Sequence, residues 1–295
     1  SLTIDAYHLE ADELPDSGIP YLYTSGNVPA GITETAPAED FTTIGGARIK
    51  RPRGAFYGLQ ARDFRHSNVT SLTARAEHRF ESGLTLRNTS RYGKSSQGYL
   101  WTQPDDQQGN VYGTNAASPA TAGGQVWRRI NSRYSEAEGI LNQTDLYGDA
   151  FFLGLGHSFA ASLEFSNEKA ANGNYVGNAA SGAAIASGAT ASPRCTPAML
   201  DRFNCTTVAS PNPSDPWVNY ASDTATTPAG IERSLPSTWT LSEATSFGVS
   251  FFDTITLSES LLLNLGGRFD HYRTKMAPGL ALAGNGVRQW IERSD

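Results

Sequence analysis

Residues 71–91 read SLTARAEHRFESGLTLRNTSR and alternate between apolar and polar positions on both sides of a short central segment. In the first half, one apolar row opposes one polar row: Leu72, Ala74, Ala76, His78 and Phe80 against Thr73, Arg75, Glu77 and Arg79. Glu81-Ser82-Gly83 follows, and its glycine can adopt the positive φ of a tight turn. The alternation then resumes: Leu84 and Leu86 against Thr85, Arg87, Thr89 and Arg91. A period of two is typical of strands, so this stretch predicts a β-hairpin.

The same period predicts two more strand pairs and one further strand. The second pair runs from about Ser132 to Lys169 and turns at residues 153–156, which read LGLG. The third pair covers Ser237 to Lys275, and Ser1 to Leu9 forms the additional strand, which gives about seven strands in all. Glu243 interrupts the apolar row of the third pair. We therefore expect Glu243 near the aqueous end of its strand.

Three long segments separate these units: about Glu10 to Ser67, Lys94 to Asn131, and Ala170 to Pro236. They are rich in Gly, Pro, Ser, Thr, Asn and Ala, and loops of this length are uncommon in compact soluble domains. Bacterial outer-membrane barrels, in contrast, alternate short periplasmic turns with long extracellular loops. A soluble β-sandwich would explain the alternation but not three long loops on one side. The sequence therefore predicts an all-β antiparallel transmembrane β-barrel with long extracellular loops, located in the bacterial outer membrane.

The polar rows of the strands indicate a wide barrel. Charged residues such as Arg75, Glu77, Arg87 and Arg91 would each cost several kcal/mol against hydrocarbon, so they must face water or a protein plug. A barrel of about eight strands has room only for its own side chains, whereas barrels of about 22 strands enclose a plugged lumen.

Composition and cysteine content limit the remaining classes. The chain of 295 residues carries a net charge of −6 and no basic footprint, so we expect no nucleic-acid partner. No run approaches the ~18 apolar residues of a membrane-spanning helix. Cys195 and Cys205 lie in one polar, Pro-containing stretch. Their spacing favours a disulfide and an oxidising compartment over two free thiols.

Four motifs, taken together, resemble TonB-dependent siderophore receptors of the ferric-catecholate type. They are Leu14 to Pro20 (LPDSGIP), Leu86 to Ser95 (LRNTSRYGKS), Ile140 to Leu146 (ILNQTDL) and Leu265 to Tyr272 (LGGRFDHY). They stand in the order of the family and span nearly the whole chain. The resemblance implies that residues 1–295 are part of a 22-stranded barrel domain, with the plug domain and both barrel ends absent. Because an open arc has two unpaired edges, we expect that the isolated chain neither inserts nor transports.

No catalytic constellation is found, so we expect no enzyme activity. The five histidines lie at separate positions without metal-ligand spacing: His8, His66, His78, His157 and His271. His78 and His157 belong to apolar rows next to turns, which favours a membrane-interface position. There is no phosphate-binding glycine loop and no nucleophile elbow. We predict no metal site and no cofactor.

The resemblance implies a ferric siderophore as the transported ligand, and catecholate complexes are bulky, aromatic and negatively charged. Their site should combine aromatic surfaces with Arg or Lys. Two segments fit, with these candidate residues: Arg48, Lys50, Arg51, Arg53 and Tyr57 in the first, and Tyr99, Trp101, Arg128 and Arg129 in the second. Tyr21 and Tyr23 could join them. The alternative, which stays open, is that the aromatics form the interfacial girdle and the basic residues bind lipopolysaccharide phosphates or solvent.

The leading hypothesis is an outer-membrane receptor for TonB-dependent uptake of ferric catecholate siderophores. Its partners would be the siderophore, the TonB complex acting through the plug domain, and outer-membrane lipid and lipopolysaccharide. One alternative is a passive porin-like channel, which would need charged constriction rings and no high-affinity site. The other is a surface-binding barrel without active transport.

Overall fold

The computed structural model describes residues 1–22, 35–106, 109–113, 123–178, 184–185, 195, 200–218, 230–279 and 286–295. Their regular secondary structure is almost entirely β-strand. The seven long strands are β1 (Leu2–Glu13), β4 (Phe64–Arg79), β5 (Thr85–Asp105), β6 (Gln125–Phe152), β7 (Leu155–Gly173), β12 (Thr240–Ser258) and β13 (Leu261–Ala277). No helix in the described ranges has the length and apolar character that crossing a membrane requires.

Seven short strands complete the described elements: β2 (Asp40–Thr42), β3 (Arg48–Lys50), β8 (Tyr175–Asn178), β9 (Ala184–Ile185), β10 (Cys205–Thr207), β11 (Gly230–Arg233) and β14 (Ile291–Ser294). A 3-10 turn spans Pro236–Thr238. β2 pairs with β3, and β8 pairs with both β9 and β11, which forms two small sheets within the connections.

The main sheet has nine strands and is antiparallel throughout. Its order is β1-β4-β5-β6-β7-β12-β13-β14, and β10 pairs with the beginning of β6. Consecutive long strands are neighbours, as in an up-and-down barrel wall. β1 and β14 are the two edges, so the sheet is open within the described residues. The predicted class of transmembrane antiparallel β-structure is confirmed, and the predicted number of about seven strands matches the seven long ones.

The register separates two faces of this sheet. Leu72 of β4 lies opposite Tyr92 of β5, which lies opposite Ile140 of β6. Along each strand, every second residue from this row shares its face. This outward face carries exposed apolar side chains, including Leu163, Phe165, Phe247, Val249 and Phe269. The inward face carries charged residues. Among them are Glu77 and Arg87, which were predicted to avoid lipid, and a group formed by Arg268, Asp270 and Glu164. The two faces are those of a barrel wall between lipid and an aqueous interior.

The short turns occur where the sequence predicts them. Between β4 and β5 the N–H of Phe80 donates to the carbonyl of Leu84, and Gly83 has a φ of 88°. Between β6 and β7, Leu153 and Gly154 both adopt positive φ, 52° and 78°. A leucine in this region is strained, so the adjacent glycine is the residue that makes the two-residue turn accessible.

The predicted loop boundaries are corrected by the lengths of the strands. β5 continues to Asp105 and β6 begins at Gln125, inside the segment predicted as loop from Lys94 to Asn131. β6 has 28 residues, which is a length of about 95 Å at 3.4 Å per residue. A strand needs only about 9–11 residues to span the membrane. Beyond the membrane neither face must be apolar, so the alternation that marks a strand is lost there.

The connections at this end of the strands form a packed module. Five side chains from four segments make its buried cluster: Ala38, Tyr57, Val111, Val126 and Val208. A second cluster joins Trp127 of β6 to the disulfide between Cys195 and Cys205, whose Cα atoms are 5.7 Å apart. Because Cys205 begins β10, the disulfide anchors its loop to the wall. We refer to these packed connections as the loop module.

Candidate functional site

An aromatic and cationic patch lies on the inward face near the loop end of the wall. The register places Arg65 of β4 opposite Tyr99 of β5, and Tyr99 opposite Arg133 of β6. Trp101 follows Tyr99 on the same face, and Arg129 lies opposite Gln103 one step further. We call Arg65, Tyr99, Trp101, Arg129 and Arg133 the loop-end patch. It brings together three of the residues predicted from sequence, Tyr99, Trp101 and Arg129.

The aromatic half of the patch offers a continuous surface. The ring centroids of Tyr99 and Trp101 are 5.3 Å apart with an interplanar angle of 50°. Both rings are half-buried, so each keeps part of its surface open. The indole Nε1–H of Trp101 is buried and has no hydrogen-bond partner among the described residues. Buried donors are nearly always paired, so this N–H is suited to donate to an oxygen of a bound molecule.

The cationic half is only partly neutralised. Arg65 lies 3.4 Å from the carboxylate of Glu13, and Arg129 lies 3.2 Å from that of Asp105, with about half of each guanidinium side chain exposed. Arg133 donates to the neutral amide oxygen of Asn172 at 2.6 Å. Three guanidinium groups therefore face two carboxylates. The patch can attract a planar, oxygen-rich anion through both charge and ring contacts.

The first predicted segment lies in the loop module. Arg48 and Lys50 lie on β3 with exposed side chains, and Arg53 is also exposed. Arg51 is half-buried and donates from one guanidinium nitrogen to the carbonyl of Pro52. Of the additional tyrosines, Tyr21 is half-exposed and bridges to Pro37, while Tyr23 lies outside the described residues. The fit of this segment to a ligand stays a prediction.

Tyr57 and Arg128 are buried, so their part in the predicted site is revised. Tyr57 is 1% exposed and its hydroxyl donates to the carbonyl of Val208 at 2.9 Å. Burial raises the pKa of Tyr57 to about 12. The side chain of Arg128 has no exposed surface, and burial lowers its pKa despite the opposing effect of Asp215. Both side chains hold the loop module together and present no surface to a ligand.

Two members of the patch, Arg65 and Arg133, were missed by the sequence interpretation. Arg65 lies in a segment that the sequence predicts to be a loop, but the residue belongs to β4. Arg133 is predicted only as part of a strand, with no role in binding. A signal for them was available. Arg65 has the parity of Arg75, and Arg133 has the parity of Asp145, and both of those residues belong to polar rows. Extending the period of two beyond the membrane would have placed them on the inward face.

The histidines do not form a metal site within the described part of the chain, since no cluster of three His, Cys, Asp or Glu occurs there. His157 instead contacts Asp253, with Nδ1 2.8 Å from the carboxylate, and the ring of Phe152 stacks on it at 3.7 Å. Both members of the pair are buried beside the β6–β7 turn. The sequence predicts a position at the membrane-water interface for His157. Its contact with Asp253 of β12 can be identified only from the strand register.

Comparisons with known proteins agree with this architecture. A profile described as "TonB dependent receptor-like, beta-barrel" matches residues 9–289. The chain is 34% identical over 173 residues to the probable TonB-dependent siderophore receptor PiuA of Acinetobacter baumannii, covering 59% of this chain and 20% of that protein. It is 24% identical over 286 residues to the catecholate siderophore receptor Fiu of Escherichia coli K12, covering 97% of this chain and 31% of Fiu.

Solved structures show the same fold. The crystal structure of the siderophore receptor PiuA superposes with a TM-score of 0.68 at 26% identity, covering 100% of this chain and 36% of that one. The closed form of the ferric-catecholate import receptor Fiu gives a TM-score of 0.63 at 19% identity, covering 100% and 37%. The chain thus spans about a third or less of the length of these relatives. Since the profile covers nearly all of it, this chain belongs to the TonB-dependent receptor-like β-barrel family of the outer membrane.

Proposed function

We propose that this chain is the part of an outer-membrane receptor that binds ferric catecholate siderophores for TonB-dependent uptake. The observation that carries the proposal is the loop-end patch, in which an open aromatic pair stands beside three incompletely neutralised guanidinium groups. The similarity to PiuA and Fiu supports it, since PiuA is described as a probable siderophore receptor and Fiu as a catecholate siderophore receptor.

The chemistry of the patch fits a ferric tris-catecholate. Such a complex presents flat catechol rings and several anionic oxygens around one iron ion. The rings can stack on Tyr99 and Trp101, while the oxygens accept hydrogen bonds from Trp101 Nε1 and from the arginines. A passive porin would instead place charged rings at its constriction without an aromatic pair. Energy coupling through the TonB complex and a plug domain is part of the same proposal and rests on family membership.

Binding measurements on the intact receptor test the site. Replacing Trp101→Ala removes both the ring and the N–H, so we expect about a tenfold or greater loss of affinity for a ferric tris-catecholate. Trp101→Phe keeps a ring and should give an intermediate loss. Trp239→Phe is the matched control, because that indole donates to Ser234 away from the patch. A neutral ferric trihydroxamate should bind weakly to the wild type.

The proposal fails if Trp101→Ala and Arg133→Gln leave the affinity for the ferric tris-catecholate unchanged while the protein remains folded. Equal binding of the trihydroxamate would contradict the catecholate class but not a siderophore receptor. Absence of saturable binding for either complex would favour the porin-like alternative.

A further inference from the structure

A network of four polar side chains interrupts the apolar belt on the outward face of β5 and β6. The register places Ser90 opposite Asn142, and Asn88 opposite Thr144, in the two rows directly below the row of Tyr92. All four side chains are half-buried. Polar groups in hydrocarbon need partners, because no water is present to supply them. The hydrogen bonds of this network therefore determine what the surface can bind.

The two asparagines use all of their amide hydrogens inside the network. Asn88 Nδ2 donates to Asn142 Oδ1 at 3.2 Å and to Thr144 Oγ1 at 2.7 Å. Asn142 Nδ2 donates to Asn88 Oδ1 at 3.3 Å and to Ser90 Oγ at 2.7 Å. The hydroxyl of Ser90 also donates to Asn88 Oδ1, at 3.3 Å. Because an amide nitrogen carries two hydrogens, neither asparagine keeps a free donor.

The unused bonding capacity lies on oxygen atoms. A carbonyl or hydroxyl oxygen can accept two hydrogen bonds. Asn88 Oδ1 already accepts two, whereas Asn142 Oδ1 and Ser90 Oγ each accept one among the described residues. These two oxygens can therefore each accept one more bond, from a molecule that brings an O–H or an N–H.

A groove opens on the outward face beside these two oxygens. It has a volume of about 290 Å³ and is lined by Leu72, Ala74, Ser90, Arg91, Tyr92, Ile140, Leu141, Asn142 and Phe165. By strand parity, the side chains of Arg91 and Leu141 belong to the inward face, so these residues contribute main chain. The other large apolar side chains of the groove are between 41 and 49% exposed. The groove is thus apolar, with Ser90 and Asn142 as its polar side chains.

The groove lies in the outer half of the membrane. Above Tyr92 on the same face is Lys94, with Glu138 opposite it on β6, and charges mark the aqueous edge because they are costly in hydrocarbon. The same row reaches Glu243, the fourth residue of β12, which lies near the aqueous end of its strand as expected.

The depth of the groove follows from the rise of β5. Tyr92 and Ser90 are two and four residues below Lys94, which at 3.4 Å per residue and a tilt of about 40° is about 5 and 10 Å. The apolar band of an outer-membrane barrel is about 25 Å tall, so the groove faces the lipids of the outer leaflet. It is continuous with the lipid-facing surface of the wall, and such a lipid reaches it directly.

We propose that the groove binds an acyl chain of lipopolysaccharide, the glycolipid of the outer leaflet. Its chains carry a hydroxyl on the third carbon, and some are joined to glucosamine through an amide N–H, so donors lie just below the sugar. Such a donor bonds to Ser90 Oγ or Asn142 Oδ1, while the hydrocarbon packs against Leu72 and Phe165. The ester-linked chains of a phospholipid have no donor at this depth and would leave both oxygens without a further partner.

Lipid retention by the intact receptor tests this site. The receptor is purified in detergent, mixed with one of three probes and examined by native mass spectrometry. The probes are glucosamine phosphate with two hydroxytetradecanoyl chains, the same sugar with two plain tetradecanoyl chains, and phosphatidylglycerol with tetradecanoyl chains. We expect the hydroxylated glycolipid to be retained about fivefold more than the plain one, as one net hydrogen bond gives, and phosphatidylglycerol least.

Two variants separate the hydrogen bonds from the shape of the groove. Ser90→Ala combined with Asn142→Leu removes both accepting oxygens, so the preference for the hydroxylated lipid should disappear. Ala74→Leu keeps the network and narrows the groove, so it should lower the retention of both glycolipids, and it serves if the first variant does not fold. Thr245→Val is the matched control, because it removes a hydroxyl from the outward face of β12 outside the groove and should behave as the wild type.

Equal retention of the hydroxylated and plain glycolipids by the wild type would overturn the proposal, as would stronger retention of phosphatidylglycerol. Unchanged retention in the folded variants would also overturn it. A dimer of the receptor that dissociates in Ala74→Leu would contradict it as well, since a second copy would then occupy the groove. None of these outcomes depends on siderophore binding.

Discussion

Replacement of Arg128 by alanine should destabilise the loop module and leave the barrel wall intact. Its guanidinium donates to the carbonyls of Tyr57, Phe203 and Asn212 at 3.1, 3.1 and 2.8 Å, and to the carboxylate of Asp215 at 2.8 Å. The side chain is fully buried, so no solvent can replace these contacts. Truncation leaves three carbonyls without this donor and one carboxylate without its cation.

The magnitude follows from the cost of breaking a buried ion pair. Removing one partner typically costs about 3–5 kcal/mol, because the other charge stays desolvated. At 1.36 kcal/mol for each factor of ten, a loss of about 4 kcal/mol raises the local opening equilibrium about a thousandfold. The carboxylate of Asp215 keeps some solvent exposure, so this value is an upper estimate.

Hydrogen exchange followed by mass spectrometry measures this directly. Peptides covering residues 57–63 and 203–215 should exchange about a thousandfold faster in Arg128→Ala, while peptides from β7 and β12 should be unchanged. Arg129→Ala is the matched control, since its neighbouring side chain is half-exposed and has one ion pair. Unchanged exchange in the loop peptides, or equal acceleration in both variants, would refute the structural role of Arg128.

Three further predictions concern other parts of the chain. Replacing Cys195 and Cys205 by serine should lower the local stability of the loop module by about 2.7 kcal/mol, from the entropy of a ten-residue ring, and proteolysis of the loop should accelerate without loss of the barrel. Burial raises the pKa of Asp106 to about 8 from 3.8, so stability present at low pH is lost as pH rises towards 8. Asp106→Asn should therefore abolish that pH dependence in thermal unfolding of the loop module, and a profile identical to that of the wild type would contradict it. His157→Ala should destabilise the barrel by about 1–3 kcal/mol, because the buried carboxylate of Asp253 loses its hydrogen-bond partner, whereas replacing His157 and Asp253 together by apolar residues should cost much less, as measured by resistance to unfolding in detergent.

The strand pairs could be predicted because lipid imposes a strict constraint on each residue. Where one face meets hydrocarbon and the other meets water, the period of two is visible, as in residues 71–91. The short turns at Gly83 and Gly154 follow from glycine at positions of positive φ. The register within each hairpin is then determined by the length of its turn, and both turns are short.

The upper parts of the strands and the site were less accessible from the sequence. Above the membrane, polar residues such as Ser95, Ser96 and Gln97 meet neither lipid nor an apolar core, so the sequence of this part of β5 resembles that of a loop. Arg128 and Arg129 look equivalent in the sequence. Their one-residue offset places Arg129 on the inward face and Arg128 against the loop module, which only the register shows. Long-range partners such as Asp253 for His157 likewise depend on pairing between distant strands.

Uptake of radioactive iron by cells that carry the intact receptor tests the central claim most directly. We predict saturable uptake of a ferric tris-catecholate that stops when the proton-motive force is collapsed and that weakens in Trp101→Ala and Arg133→Gln. Uptake that rises linearly with concentration, persists without the proton-motive force and ignores both substitutions would contradict a TonB-dependent receptor and indicate a passive channel.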